Sequence, residues 1–82
     1  MKRRKITTRE YLYTVIYEPL EAGGYQVVVP MLPGIVTYGR DFEEAQEMAK
    51  DAIRCHLEGL LKEKNDVPNE MGLLQERIAI TV

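Results

Sequence analysis

The sequence lacks the cysteine pairs, the ligand clusters and the long apolar runs that build disulfides, metal sites and membrane spans. Among its 82 residues there is one cysteine (Cys55), one histidine (His56), one phenylalanine and no tryptophan. A lone thiol cannot form a disulfide within the chain, and a thiolate zinc site needs several cysteines, so the composition indicates a reducing compartment. No apolar run approaches the roughly 18 residues that cross a bilayer. We therefore expect a soluble, cytoplasmic protein.

Charge is distributed unevenly along the chain. Residues 1–10 carry five bases and one acid, a net charge of +4, whereas residues 11–82 carry six bases and twelve acids, a net charge of −6. Phosphate binding needs clustered positive charge, so the acidic body is not expected to bind nucleic acid with its own surface. We predict a flexible basic arm over 1–10 and a single domain over 11–82, because a chain of this length holds only one core.

Three short segments in the first half of the chain have the β-branched and aromatic composition of strands. They span residues 11–17, 25–29 and 35–38. Connections rich in proline and glycine separate them, and short connections between consecutive strands predict an antiparallel meander. In the second connection Pro33 presets φ and Gly34 accepts a positive φ, so this pair is predicted to fix the turn.

From Phe42 onward the apolar spacing changes to three and four, which predicts an amphipathic helix packed on one face of the sheet. Asp41 is a suitable N-cap, and Glu44 follows three residues later, as in a capping box. The helical pattern ends near residues 64–66, before Pro68. The side chains predicted to face the sheet are Ala49, Ile53, Leu57 and Leu60, and those predicted to face water are Glu47, Asp51, Arg54 and Glu58.

The C-terminal residues return to a strand-like alternation after a loop over 65–75. Residues 76–82, with the sequence ERIAITV, alternate apolar and polar side chains and predict a closing strand. The predicted order is therefore β-β-β-α-β. This is an α+β fold with a three-stranded antiparallel meander, one amphipathic helix packed on the sheet and a closing β-strand.

The reactive side chains lack the companions that catalysis needs. A catalytic imidazole requires a nucleophile or an orienting carboxylate, and a metal requires several ligands, but neither accompanies His56 in the sequence. Cys55 has no dedicated basic cluster, so packing is the favoured interpretation of the thiol. Carboxylates from Glu43 to Asp51 are typical of a solvated helix face. We expect a protein that is not an enzyme and has no metal or cofactor.

Several short motifs follow one another in a defined order between residues 13 and 68. Their residues are Gly23, Gly24, Tyr25, Pro30, Leu32, Pro33, Gly34, Gly39, Glu43, Glu44 and Ala45. The helix continuation over 52–60 and the later Val67-Pro68 pair extend the series. In this order and spacing, the motifs resemble the HicB family, which comprises the antitoxins of HicA–HicB toxin–antitoxin pairs and their solitary relatives.

The resemblance implies a partial RNase H-like fold and a protein that binds and neutralises a small, basic, RNA-cleaving toxin of the HicA type. Nuclease activity is not expected, because a two-metal mechanism needs several inward-facing carboxylates and the three predicted strands contain none. The alternative is a solitary regulatory or structural module that binds another protein or a small ligand and has no toxin. Many HicB antitoxins also carry a C-terminal DNA-binding segment. Because this sequence ends after its predicted last strand, autorepression is not expected.

Both faces of the first predicted strand are largely apolar, and a single helix covers only one face of a sheet. Contiguous apolar patches usually mark interaction sites, so one set of strand residues needs a partner. The candidate oligomer face consists of Tyr11, Tyr13, Val15 and Tyr17. We therefore expect a homodimer or a homotetramer.

Overall fold

Three short antiparallel strands followed by one long helix make up the regular structure of the chain. The computed structural model describes residues 10–82, so residues 1–9 of the predicted basic arm lie outside the described residues. The elements are β1 (Ile16–Pro19), β2 (Tyr25–Val28), β3 (Val36–Gly39) and α1 (Phe42–Lys62). The sheet order is β1-β2-β3, and α1 packs on β2 and β3. The α+β fold, with its antiparallel meander and single helix, is confirmed.

Strand β1 is displaced along the chain from its predicted position at 11–17. Its register pairs Ile16 with Val28, the last residue of β2. The chain turns at Pro30, so the residues that precede Ile16 have no strand residue opposite them. The composition of 11–17 is therefore that of a strand, but its first half lacks the neighbour that a ladder requires.

Pro19 is the last residue of β1, although the sequence places it in the turn. The N–H of Leu20 donates to the carbonyl of Gly24 at 3.0 Å, so Leu20 and Gly24 form a hydrogen-bonded pair. Hydrogen-bonded and non-hydrogen-bonded pairs alternate along an antiparallel ladder, so the nitrogen of Pro19 points away from β2. The missing N–H of proline consequently removes no bond from the sheet.

Helix α1 begins at the predicted position. Oδ1 of Asp41 accepts a hydrogen bond from the backbone N–H of Glu44 at 2.7 Å. The Glu44 carboxylate in turn accepts the backbone N–H of Arg40 at 2.7 Å and lies 3.0 Å from the Arg40 guanidinium. These bonds satisfy donors that would otherwise be unpaired at the helix start.

The core consists of two small clusters between the sheet and the helix. Buried residues of the first are Val27, Ala45 and Ala49, and those of the second are Val29, Leu32 and Ile35. Of the helix residues predicted to face the sheet, Ala49 is buried, whereas Ile53, Leu57 and Leu60 are half-buried. The helix phase is therefore as predicted, although the sheet covers only the first half of the helix closely.

The predicted closing strand is absent from the described residues of the chain. Residues 76–82 pair with neither edge of the sheet, and every residue from 71 to 82 is exposed. Alternation provides the side chains of a strand, but a strand also needs a backbone ladder, which residues 10–75 do not supply to the segment. Within residues 10–82, no helix has the length and apolar character needed to span a membrane.

Candidate functional site

A buried carboxylate joins the segment before β1 to the loop after α1. Oε1 of Glu70 accepts a hydrogen bond from the hydroxyl of Thr14 at 2.6 Å, and Oε2 accepts one from the Thr14 backbone N–H at 3.0 Å. The backbone N–H of Glu70 donates to the carbonyl of Leu12 at 3.0 Å. Glu70 is only 9% exposed. We refer to these contacts of Glu70 with Leu12 and Thr14 as the Glu70 clasp.

Neighbouring side chains extend the clasp. Oδ1 of Asn69 accepts the backbone N–H of Leu12 at 3.0 Å, and its amide nitrogen donates to the carbonyl of Glu10 at 3.2 Å. The hydroxyl of Tyr13 donates to the carbonyl of Pro68. The loop after α1 thus supplies hydrogen-bond partners to the segment before β1, where the sheet supplies none.

The clasp favours an ionised carboxylate. Hydrogen bonds from the Thr14 hydroxyl and then from the Thr14 N–H lower the pKa of Glu70, and they outweigh the desolvation that raises it. Burial is the main reason that the pKa of Tyr13 is raised, with the charges of Tyr11 and Glu70 adding to it. A carboxylate with a lowered pKa is a poor proton donor at neutral pH, so this geometry suits a structural anion better than a general acid.

The second feature is a groove between the segment before β1 and the C-terminal half of α1. Its volume is about 540 Å³. An apolar floor lies inside a charged rim of Lys50, Arg54 and Glu58, an arrangement typical of protein-binding surfaces. The floor consists of Tyr11, Leu12, Tyr13, Ile53, Leu57 and Leu61. We call this surface the helix groove.

The third feature is the face of the sheet opposite the helix. The strand register places Ile16, Val28 and Val36 in one row across the three strands. Ile16 is 44% exposed and Val36 is 60% exposed. We call this row the sheet face. The helix does not cover this face of the sheet, so the apolar row is a candidate contact for another protein.

The predicted oligomer face does not coincide with the sheet face. Tyr13, Val15 and Tyr17 are half-buried and pack against the two core clusters on the helix side. Tyr11 lines the helix groove. The structure therefore directs Tyr13, Val15 and Tyr17 toward the helix, whereas Ile16 lies on the opposite face of the sheet.

The motif residues are distributed through the fold and do not form one site. Three of the glycines have positive φ angles: Gly23 at +106° and Gly24 at +81° before β2, and Gly34 at +96° before β3. Gly34 follows the buried side chain of Leu32, so its backbone turns the chain directly after a core residue.

The other motif residues pack at the sheet–helix contact or lie beside it. A Cβ on Gly39 would lie 2.3 Å from the backbone nitrogen of Ala45, so the helix start approaches β3 too closely for a side chain there. Tyr25 stacks edge-on against Phe42, with ring centroids 5.8 Å apart. Glu44 belongs to the helix cap, and the exposed members are Pro30, Pro33 and Glu43.

The sequence predicts no role for Asn69 or Glu70, two loop residues that bond to the segment before β1. Asn69 and Glu70 follow Pro68 in a segment without periodicity, so no pattern distinguished Glu70 from the other acids. His56 is half-buried and Cys55 is exposed. Across residues 10–82, no group of three or more His, Cys, Asp and Glu side chains is placed to hold a metal ion.

Comparison with known proteins places these features in a family. A family model described as "HicB_like antitoxin of bacterial toxin-antitoxin system" matches residues 13–79. A UPF0150 protein of Synechocystis is 42% identical over 72 residues, which cover 88% of this chain and 90% of that protein. A UPF0150 protein of Thermoplasma acidophilum is 43% identical over 58 residues, covering 71% of this chain and 84% of that protein.

A relative with a named role is also similar. Antitoxin HicB 1 of Photorhabdus laumondii is 41% identical over 56 residues, which cover 68% of this chain and 36% of that antitoxin. The chain therefore corresponds to about a third of the length of that antitoxin, but to most of the length of the two UPF0150 proteins. No solved structure shows significant similarity to the chain.

Proposed function

Because the chain belongs to the HicB-like antitoxin family, we propose that it is a non-enzymatic antitoxin-type protein that binds and neutralises a small, basic, RNA-cleaving toxin. The observation that carries the proposal is the family match over residues 13–79. The similarity to Antitoxin HicB 1 adds to it. The single cysteine and the absence of a long apolar run in the sequence favour the cytoplasm as the place of action.

The charge of the chain supports a basic partner. Residues 11–82 carry a net charge of −6. Acids on the outer side of α1 include Glu47 and Asp51, whose side chains are 72% and 78% exposed. Lys50 lies 3.9 Å from Glu47, and Arg54 lies 3.2 Å from Asp51, so each acid has one basic neighbour on the same helix. These four side chains balance one another, so the attraction for a basic protein comes from the net charge of residues 11–82 as a whole, which accelerates association.

The test is inhibition of RNA cleavage by the toxin. The product of the neighbouring short gene is purified and mixed with RNA, and the full chain is added in increasing amounts. We expect cleavage to stop near the equivalence point and the two proteins to co-purify. Undiminished cleavage at an excess of the chain, or neighbouring genes that encode no small basic protein, would contradict the proposal.

Two matched variants test the electrostatic part. The pair Glu47→Gln with Asp51→Asn removes two acids, and the pair Lys50→Gln with Arg54→Gln removes two bases from the same helix face. Both variants break the same two ion pairs, so only the sign of the charge change differs. The association rate constant should fall for the variant that lacks the two acids but not for the variant that lacks the two bases. The fall should be larger at low salt than at high salt. Equal effects of the two would count against charge complementarity.

The second candidate function is a solitary module that binds a small ligand or another protein. The helix groove favours this alternative, because its volume of about 540 Å³ lies in the range of small-molecule sites. Native mass spectrometry of the protein purified from its own host would detect a co-purifying ligand, and an unliganded mass would leave the groove as a protein contact.

Self-association completes the proposal. We propose a homodimer or homotetramer, because apolar residues of the sheet face, such as Ile16 and Val36, are exposed in the single chain. Sedimentation equilibrium of the full chain at micromolar concentration measures its mass directly. A mass of one chain, 9.4 kDa, would contradict this part of the proposal.

A further inference from the structure

We infer that residues 76–82 form a strand along the outer edge of β1 in a second copy of the chain, and that the two copies exchange these segments reciprocally. The inference rests on the proposed self-association and deepens it, because it names the segment and the edge that would form the interface. The supporting observations are the composition and exposure of the segment, the open edge of β1 and the cavity beside that edge.

Residues 76–82 have the composition of a strand, but their side chains are exposed and their backbone pairs with no strand of the described chain. Ile78, Ile80 and Val82 fall on one side of a two-residue alternation, with Arg77, Ala79 and Thr81 on the other. Ile78 is 68% exposed and Ile80 is 75% exposed. Branched apolar side chains at every second position are typical of a strand that covers an apolar surface. Within the described residues of a single chain, nothing covers them.

The shape of the chain is consistent with a projecting segment. The radius of gyration is 16.4 Å and the longest dimension is 62 Å. A compact domain of this length has a radius of gyration of about 12 Å. Every residue from 71 to 82 is exposed, so the excess length agrees with a C-terminal segment that extends from the sheet and the helix.

Strand β1 supplies an edge to which such a segment can add. The sheet order β1-β2-β3 places β1 at one side of the sheet. The register and the bond between Leu20 and Gly24 direct the backbone groups of Tyr17 away from β2. Val15 continues this outward series before the strand. An edge with free N–H and C=O groups is a template for pairing with another chain.

A cavity of about 550 Å³ lies beside this part of β1. Its walls are residues 14–17 on one side and Gln75 and Arg77 on the other. The cavity is therefore an open space along this edge, at the position where an added strand would lie.

The residue before the segment is held next to the residues that precede its own β1. The amide nitrogen of Gln75 donates to the Thr14 hydroxyl and to Oε1 of Glu70, the latter at 3.3 Å. Beyond Gln75, residues 76–82 form no ladder with β1 of their own chain. Within residues 10–82, each chain therefore presents both an unpaired segment and an unpaired edge. A two-fold axis that brings the strand of each copy to the edge of the other satisfies both and closes the assembly at two chains.

Sedimentation equilibrium of variants tests the segment. We expect the full chain to have twice its mass of 9.4 kDa at micromolar concentration. Ile80→Asp places a charge in the proposed interface and should raise the dimer dissociation constant at least tenfold. Leu74→Asp is the matched control, because Leu74 is 97% exposed but lies outside residues 76–82, and it should change the constant less than threefold.

The outcomes separate this inference from the proposed self-association. A monomeric wild-type chain overturns both. A wild-type dimer on which Ile80→Asp and Leu74→Asp act equally overturns the exchanged segment and leaves self-association intact. Circular dichroism serves as the folding control: we expect Ile80→Asp to keep the helix, because Ile80 is 75% exposed in the single chain.

A second measurement distinguishes exchange between copies from pairing within one copy. Isotopically labelled and unlabelled full chains are mixed, and filtered nuclear Overhauser spectra then record only contacts between copies. We expect contacts from the Ile78 and Ile80 methyl groups to Val15 or Tyr17 of the other copy. Such contacts found solely within one copy, or solely with residues of the helix groove, would overturn the inference.

Discussion

The carboxylate of Glu70 takes the place of a strand opposite Thr14. It accepts the Thr14 hydroxyl at 2.6 Å and the Thr14 N–H at 3.0 Å. Extending the β1–β2 register past Val28 would set Pro30 opposite Thr14, but the chain turns at that proline. A side chain 56 residues later in the sequence thus satisfies a backbone donor that the sheet leaves unpaired.

Removing the hydroxyl from this contact should destabilise the fold. Thr14→Val keeps the shape of the side chain but deletes its hydrogen bonds to Glu70 and from Gln75. We expect the free energy of unfolding to fall by about 1.5–3 kcal/mol, the range for hydrogen bonds to charged groups. Urea denaturation measures it. Thr37→Val on β3 is the control, and a loss as large as that at position 14 would show that the clasp is not responsible.

The clasp should also make stability depend on pH in the acid range. The pKa of Glu70 is lowered in the folded state, so the unfolded chain binds more protons as the pH falls below the usual glutamate value of about 4.3. This contribution is complete above that pH and is lost as the pH falls through the folded pKa. The pKa of Glu44 is lowered in the same direction, chiefly by the backbone N–H of Arg40.

Urea denaturation between pH 3 and pH 6 tests this linkage. We expect wild-type stability to fall toward pH 3, and Glu70→Gln to make the fall shallower because the titrating group is gone. Glu43→Gln, at an exposed position on α1, serves as the control and should retain the wild-type slope. Parallel curves for Glu70→Gln and the wild type would contradict the assignment.

Substitution by alanine should lower the stability of the protein at Gly39 and raise it at Gly59. At Gly39 an added Cβ would lie 2.3 Å from the backbone nitrogen of Ala45, so the helix start must move, at a cost of about 1–3 kcal/mol or more. At Gly59, inside α1, nothing lies within 4 Å of an added Cβ, and alanine should stabilise the helix by about 0.5–1 kcal/mol. Thermal melting of the two variants shows whether each midpoint lies below or above that of the wild type. Equal midpoints would show that β3 and α1 do not approach each other this closely.

Leu32 should behave as a core residue despite its place between two prolines. It is 1% exposed and packs with Val29 and Ile35. Leu32→Ala is therefore expected to cost about 2–5 kcal/mol, the range for leucine-to-alanine changes in cores. The same change at Leu74, which is 97% exposed, should stay within about 0.5 kcal/mol. Denaturant titration compares the two, and similar losses would contradict the assignment of Leu32 to the core.

Local patterns of the sequence predict most of the elements. Asp41 and the change of apolar period after it locate the start of α1. The register across the sheet places the strands β2 and β3 within one residue of their predicted bounds. These features depend on residues that are close together in the chain, which is why periodicity and turn chemistry predict them.

Features that depend on distant residues were not predicted. The partner of Thr14 is Glu70, and no local signal links the two. The sequence places Leu32 in a turn, but the structure buries it, because burial depends on what the chain packs against and not on the residue's neighbours in sequence. Alternation in residues 76–82 correctly describes a strand-like side-chain pattern. It does not reveal whether any backbone lies beside the segment, and in the described chain none pairs with it.

Pro19 has a consequence for the solubility of the protein. Its nitrogen points to the outer edge of β1, so an incoming strand finds no donor there and must obtain its hydrogen bonds from the few residues that precede Pro19. Long, flat edges with uninterrupted donors template the stacking of many chains into fibrils, whereas short edges that end in proline resist it. The proline therefore limits how far another chain can extend along β1, which favours small closed assemblies over polymeric aggregates.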